Sequence, residues 1–203
     1  MFKIIFLLLI VLGCQNKTAV VGSIPPPSES GMVSDFGGAL PWSNPIWDKE
    51  LINDIKSTLL PRTNDLKSWC NKDLTDEQLI MFYANLFVQI AKYESNWNPK
   101  TSYREGFKDN NGNFVVSSGL FQISKESANQ SRYGCKIKSQ DELFDPLINI
   151  SCFLKIASYW IQKDGVLASD SSQGVGRYFS TMRPSSKVYG KIKGYVKALP
   201  LCN

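Results

Sequence analysis

Thr75-Asp76-Glu77-Gln78-Leu79-Ile80-Met81-Phe82-Tyr83-Ala84-Asn85-Leu86-Phe87-Val88-Gln89-Ile90-Ala91-Lys92-Tyr93-Glu94-Ser95 is the stretch whose reading decides the fold. Thr75 has the character of a helix N-cap, and Gln78, three residues on, completes a capping-box pattern. Leu79, Tyr83, Leu86 and Ile90 recur at the spacing of one buried helical face. Four residues further the stripe lands on Glu94, in the last turn before Asn98-Pro99 stops the helix. Burial and the negative end of the helix dipole both disfavour an ionised carboxyl there. Such an acid stays protonated near neutral pH, which is what a general acid needs. On position alone, a glutamate that swings out to solvent from a frayed turn is the alternative.

The residues around Glu94 sharpen the choice. Ala91-Lys92-Tyr93-Glu94-Ser95-Asn96-Trp97-Asn98-Pro99 is followed by Ser118-Gly119-Leu120-Phe121-Gln122-Ile123-Ser124. In this order, and a short loop apart, the two runs resemble the leading motifs of SLT-type lytic transglycosylases. These are peptidoglycan-cleaving enzymes of glycoside hydrolase family 23, kin to goose-type lysozymes. The resemblance spans roughly residues 75–195. It implies a mainly α, lysozyme-like helical domain with Glu94 as catalytic acid/base, and a sugar cleft lined by the second motif. Ser95, Ser118, Gln122, Ser124 and Tyr178 are then the residues expected to position sugar and acid. Tyr178 stands in Gly174-Val175-Gly176-Arg177-Tyr178-Phe179-Ser180, where the family carries a third motif, usually A-Y-N. Phe179 and Ser180 occupy the place of its asparagine. As a plain residue, Tyr178 reads as a core aromatic with a hydrogen-bonded hydroxyl.

The connection between the first two motifs is longer than it needs to be. Phe107 to Val116 reads as a small β-hairpin turning at Asn111-Gly112, beside the cleft. The insert carries Glu105 and Asp109. Inverting glycosidases use a second carboxylate to activate water, so either acid offers a hydrolytic route, with Glu105 the nearer to the motifs. An ion pair with Arg104 or Lys108 is the plainer role.

Outward from this centre the pattern stays helical. Asn44-Pro45 reads as N-cap and N1 of a helix with the stripe Trp47, Leu51, Ile55 and Leu59, ended by Pro61. Short helices are expected over 65–70 and 125–130. Asp145-Pro146 opens a long helix with the face Leu147, Ile150, Leu154, Ala157 and Ile161, closed by Gly165, and this is expected to be the central core helix. Trp160 on it is read as core rather than sugar platform. Val188, Ile192, Tyr195 and Leu199 mark a last helix before Pro200.

Bulk composition narrows the chemistry. The 203 residues suit one domain with additions, and 43% hydrophobic content with 20% charged is globular. The net charge of +5, or +4 once Lys3 is removed with residues 1–13, fits an anionic polymer without requiring one. Lys187, Lys191, Lys193 and Lys197 read as a solvated face, and no nucleic-acid partner is expected. The absence of histidine excludes Ser-His-Asp and Cys-His hydrolases and histidine-bearing zinc enzymes. Without C-x-x-C pairs a cysteine zinc site is not expected either, so we expect no metal and no cofactor.

The first residues read as an address. Lys3 precedes an apolar run from Ile4 to Leu12 that is too short to span a bilayer. Val11-Leu12-Gly13-Cys14 resembles a bacterial lipobox, which implies cleavage before Cys14 and acylation of it; an ordinary secretory peptide is the alternative. With Gln15 after the cysteine, the resemblance points to the outer membrane, facing the periplasm. Residues 14–41, rich in Ser, Gly and Pro, read as a flexible tether, and residues 42–203 as the catalytic domain. Cys70, Cys135, Cys152 and Cys202 remain, an even set suited to an oxidising compartment. Three connectivities are possible, and Cys135–Cys152 with Cys70–Cys202 is preferred.

These readings converge on a lipid-anchored, monomeric peptidoglycan lytic transglycosylase. By the family's mechanism Glu94 protonates the glycosidic oxygen between N-acetylmuramic acid and N-acetylglucosamine. It then takes a proton from the muramic 6-hydroxyl, leaving a 1,6-anhydro end. The alternatives are a muramidase using Glu105 and a non-catalytic wall-binding lipoprotein.

Overall fold

A twenty-residue helix organises the domain. In the computed structural model, which describes residues 40–169 and 173–203, helix α3 spans Asp76–Ser95. Its start follows from the capping box: Gln78 N–H donates to Thr75 Oγ1 at 3.2 Å and Thr75 N–H to Gln78 Oε1 at 2.9 Å. Its end is a left-handed turn at Asn96 and Trp97, before Pro99 is reached. The leader segment 1–13, Cys14 and the tether up to residue 39 lie outside the described residues.

Helices α1 (Pro45–Thr58), α2 (Leu66–Trp69), α4 (Lys125–Ala128), α5 (Pro146–Asp164) and α6 (Tyr189–Lys197) surround α3. Asn44 and Asp145 cap α1 and α5 as their sequences imply, each followed by proline. Helix α1 packs on both α3 and α5, and α6 packs on α3. Phe87, Phe121, Phe153 and Phe179 join these elements, with the Phe121 and Phe153 rings stacked 3.7 Å apart. The expectation that α5 is the innermost helix is corrected. Every residue of α3 from Met81 to Ala91 is buried, whereas α5 exposes Lys155, Gln162 and Lys163.

Two further expectations fail at helix ends. Leu59 is 81% exposed because the chain turns left-handed there at φ 49°, and Leu60 fills the core instead. Leu147 lies in the first turn of α5, beyond the reach of the packed face, and is exposed. In α6 the buried residues are Ile192 and Val196, with Tyr195 only half-buried.

The insert supplies the first two strands of a three-stranded antiparallel sheet, in the order β1 (Ser102–Lys108), β2 (Phe114–Ser118), β3 (Ile123–Ser124), the last strand coming from the second motif. Ser102 pairs with Ser118 and Arg104 with Val116, after which a bulge shifts the register to Lys108 opposite Phe114. Asp109 is committed to the turn, its Oδ1 accepting from the N–H groups of Asn111 and Asn113 at 2.9 and 2.8 Å. That removes it as a second acid. Arg104 and Lys108 stand over the Phe114 ring on the outer face of the ribbon.

Both preferred disulfides form. Cys135–Cys152 ties the loop after α4 to α5, and Cys70–Cys202 ties the segment ahead of α3 to the C-terminus. Among the described residues no helix is long and apolar enough to cross a membrane.

Candidate active site

Helix α3 delivers Glu94 to the floor of a cleft of about 450 Å³. The opposite wall comes from the β-ribbon, through Glu105, Phe107, Val115 and Ser117. Gln122, Ser124 and Ser127 close one side, and the segment containing Arg177, Tyr178, Phe179, Ser180 and Arg183 closes the other.

Burial lifts the Glu94 carboxyl from its ordinary 4.5 to about 7. Thr181 opposes this lift, donating its hydroxyl to Glu94 Oε1 at 2.6 Å, while the negative charge of Glu105 adds to it. The acid therefore holds its proton much closer to neutral pH than an ordinary carboxyl does, and Thr181 fixes it in one direction. Glu105 is half-buried and is oriented by Ser117, whose Oγ donates to its Oε1 at 2.6 Å. The two carboxyls thus share one cleft, with hydrogen bonds from different elements orienting each.

Gln122 sits at φ 46° and donates its Nε2 to the carbonyls of Thr101 and Gly119 at 3.0 and 2.8 Å. Its Oε1 is buried with no hydrogen-bond partner. Ser124 caps α4, accepting from Ser127 N–H at 3.2 Å. The Tyr178 hydroxyl bonds to Ser127 and to the backbone of Ser124, and burial pushes it up to about 12, so it remains neutral. These three residues reach the cleft.

Ser95 and Ser118, expected to touch sugar, do not reach it. Ser95 is buried behind the wall and donates to the carbonyls of Ala91 and Leu120 at 3.1 and 2.8 Å. Ser118 is fully buried, its Oγ accepting from Gln140 Nε2 at 2.9 Å. Both hold the second motif against the helices instead of facing substrate.

Asn149 of α5 does the same work from below. Fully buried, it donates to the carbonyls of Ser118 and Leu143 at 3.0 and 2.9 Å and accepts from Phe121 N–H at 2.9 Å. Gly119 lies directly against it at φ +81°, where a Cβ would meet Leu143 O at 2.1 Å and Asn149 Nδ2 at 2.3 Å. The one signal for Asn149 in the sequence is a polar residue within the apolar face of α5. Thr181 and Ser117 give no signal, since each acts through a fold contact. Among the described residues no group of three or more His, Cys, Asp or Glu is placed to hold a metal ion.

The family model for the transglycosylase SLT domain matches residues 77–163, which include both carboxyls, Gln122 and Asn149. Curated proteins give no match. The chain is similar to the solved structure of wild-type Bd0314 DslA, with a TM-score of 0.75 and 31% identity over 81% of this chain and 98% of that one. A glutamate-to-glutamine mutant of the same protein gives a TM-score of 0.72 and 32% identity, covering 78% of this chain and 91% of that one. With the lysozyme-like fold, the half-buried acid at the end of α3 and these likenesses together, the chain belongs to the SLT transglycosylase family.

Proposed function

We propose that this chain cleaves peptidoglycan glycan strands at the β-1,4 bond between N-acetylmuramic acid and N-acetylglucosamine, with Glu94 as the general acid. The observation that carries this is Glu94 itself: a carboxyl kept near 7 by burial, aimed by Thr181 into a cleft a sugar chain can enter. The proton leaves Glu94 for the glycosidic oxygen as the bond breaks, and the resulting carboxylate stabilises the developing positive charge on the sugar. Tyr178, neutral and half-buried, and the backbone around Gln122 shape the sugar's seat. Glu94→Gln keeps the shape and removes the transferable proton, so digestion of sacculi should fall by at least ~100-fold with the fold intact. Near-normal turnover by this variant would sink the assignment.

Two routes complete the reaction. The family's single-carboxylate route returns a proton to Glu94 from the muramic 6-hydroxyl and yields 1,6-anhydro ends. A specific observation favours the other: Glu105 faces the same cleft, held by Ser117. Two solved variants of DslA replace glutamates at that protein's own positions 143 and 154, eleven residues apart, and Glu94 and Glu105 are also eleven apart. In this reading Glu105 takes a proton from water as the water attacks the anomeric carbon, and the product carries a reducing end. Mass spectrometry of the muropeptides separates the two. Reducing ends, with Glu105→Gln as damaging as Glu94→Gln, support hydrolysis; anhydro ends with a mild Glu105→Gln effect return the single-carboxylate route.

We also propose that the chain is exported and anchored through acylated Cys14 to the outer membrane, acting as a monomer on the wall. The lipobox-like run supports this. Cys14→Ser should move the protein from the membrane to the soluble exported fraction; unchanged membrane association would count against the anchor.

A further inference from the structure

Beside the cleft, three cations crowd one indole. Arg132 lies 5.4 Å from the Trp160 ring centroid, Lys163 5.0 Å and Arg177 4.9 Å. Trp160 is buried, and its Nε1 donates to the Tyr133 hydroxyl at 2.9 Å. Arg132 also reaches the Tyr133 ring, and Lys163 the Tyr159 ring, at 5.3 and 5.7 Å. Within the described residues, Asp164 is the one carboxylate in ion-pair distance of any of the three. It binds Arg177 through two bonds, of 2.6 and 3.1 Å. One charge is thereby balanced and two are not.

A single cation would suffice to cover Trp160. Three at this spacing repel one another, and the ring attracts each by only about 0.5–1 kcal/mol at an exposed site. Such an arrangement is favourable when an anion sits among them. The patch also adjoins the proposed reaction site. Arg177 lines the cleft, as does Tyr178, whose ring meets Tyr133 edge-on at 6.2 Å.

We propose that Arg132, Lys163 and Arg177, gathered on Trp160, bind the carboxylates of an acidic peptide hanging from the glycan strand in the cleft. The proposal rests on the peptidoglycan reading and deepens it: the substrate is a strand that still carries its stem peptides. The aromatic cluster holds the cations in place, and the strand brings the carboxylates past them.

The test titrates the full chain with a muramyl peptide bearing free carboxylates and with the same peptide amidated. The reporter is the indole N–H resonance of Trp160, assigned with Trp160→Phe. The free acid should shift that resonance and the amide should not. The double variant Arg132→Gln/Lys163→Gln, which leaves the Arg177–Asp164 pair intact, should weaken binding by roughly 5-fold, and about 0.5 M salt should abolish the difference. In turnover, the variant should lose a similar factor on peptide-bearing strands and nothing on strands stripped of peptide. Equal shifts with acid and amide, unchanged binding by the variant, or equal losses on both strands would overturn the proposal. If the parent cuts neither strand, the peptidoglycan reading fails, and the titration still decides the patch.

Discussion

Glu94 is held in a place where its ionised form is expensive, and pH exposes that expense. In the unfolded chain the carboxyl sheds its proton near 4.5; in the folded protein it does so near 7. Between those values the folded state keeps a proton that the unfolded state has lost, so stability falls as pH rises through the window. The full difference corresponds to about 3 kcal/mol, and partial solvent access at the cleft reduces it. Glu94→Gln should therefore match the parent in urea unfolding at pH 4 and exceed it by about 1–3 kcal/mol at pH 8. Equal stabilities at pH 8 would mean that the carboxyl is not buried at any cost. Turnover should decline above pH 7 as the acid loses its proton. Thr181→Val removes a bond that favours the ionised form, so it should move this decline to higher pH while lowering the rate, because the carboxyl loses its direction. A decline that stays put would show that Thr181 does not set the protonation of Glu94.

At the scale of elements, the site depends on how α5 grips the turn between β2 and β3. Asn149 makes three buried hydrogen bonds to residues up to 31 positions away. Asn149→Ala leaves those backbone groups unpaired and opens a small void, which should cost about 3 kcal/mol or more by denaturant midpoint. The same change should reduce turnover further than the loss of folded protein explains, since Gln122 rides on that turn. A variant with normal stability would show that the turn holds itself. The elements on either side were legible in the chain because their signals are local. Thr75, Asn44 and Asp145 announce their helices with side-chain caps, and Asn111-Gly112 announces the ribbon's turn. What holds the site together was not legible. Thr181 meets Glu94 across 87 residues, and Ser95 looks like a cleft residue until Leu120 folds over it. Leu59 and Leu147 obeyed the helical spacing and still missed the core, because at helix ends the backbone, not the period, decides where a side chain points.

Across the whole molecule the two disulfides differ mainly in reach. They join residues 17 and 132 positions apart. On the chain-entropy account their closure is worth about 3 and about 5 kcal/mol. Replacing Cys70 and Cys202 by alanine should therefore lower the urea midpoint more than replacing Cys135 and Cys152. The reverse order would show that native-state packing, not loop closure, dominates.

The longer bridge also sets a load path. A pull applied at residue 40 and at Asn203 travels along α1 to Cys70, crosses the sulfur bridge to Cys202, and leaves. Both carboxyls, the ribbon and the cation patch lie inside the bypassed ring and carry no tension along their backbone. With the bridge closed, the chain can lengthen by only on the order of 100 Å; once it is reduced, with Cys135–Cys152 still closed, by less than about 500 Å. An enzyme tugged by the material it cuts would lose its first helix and keep its active site.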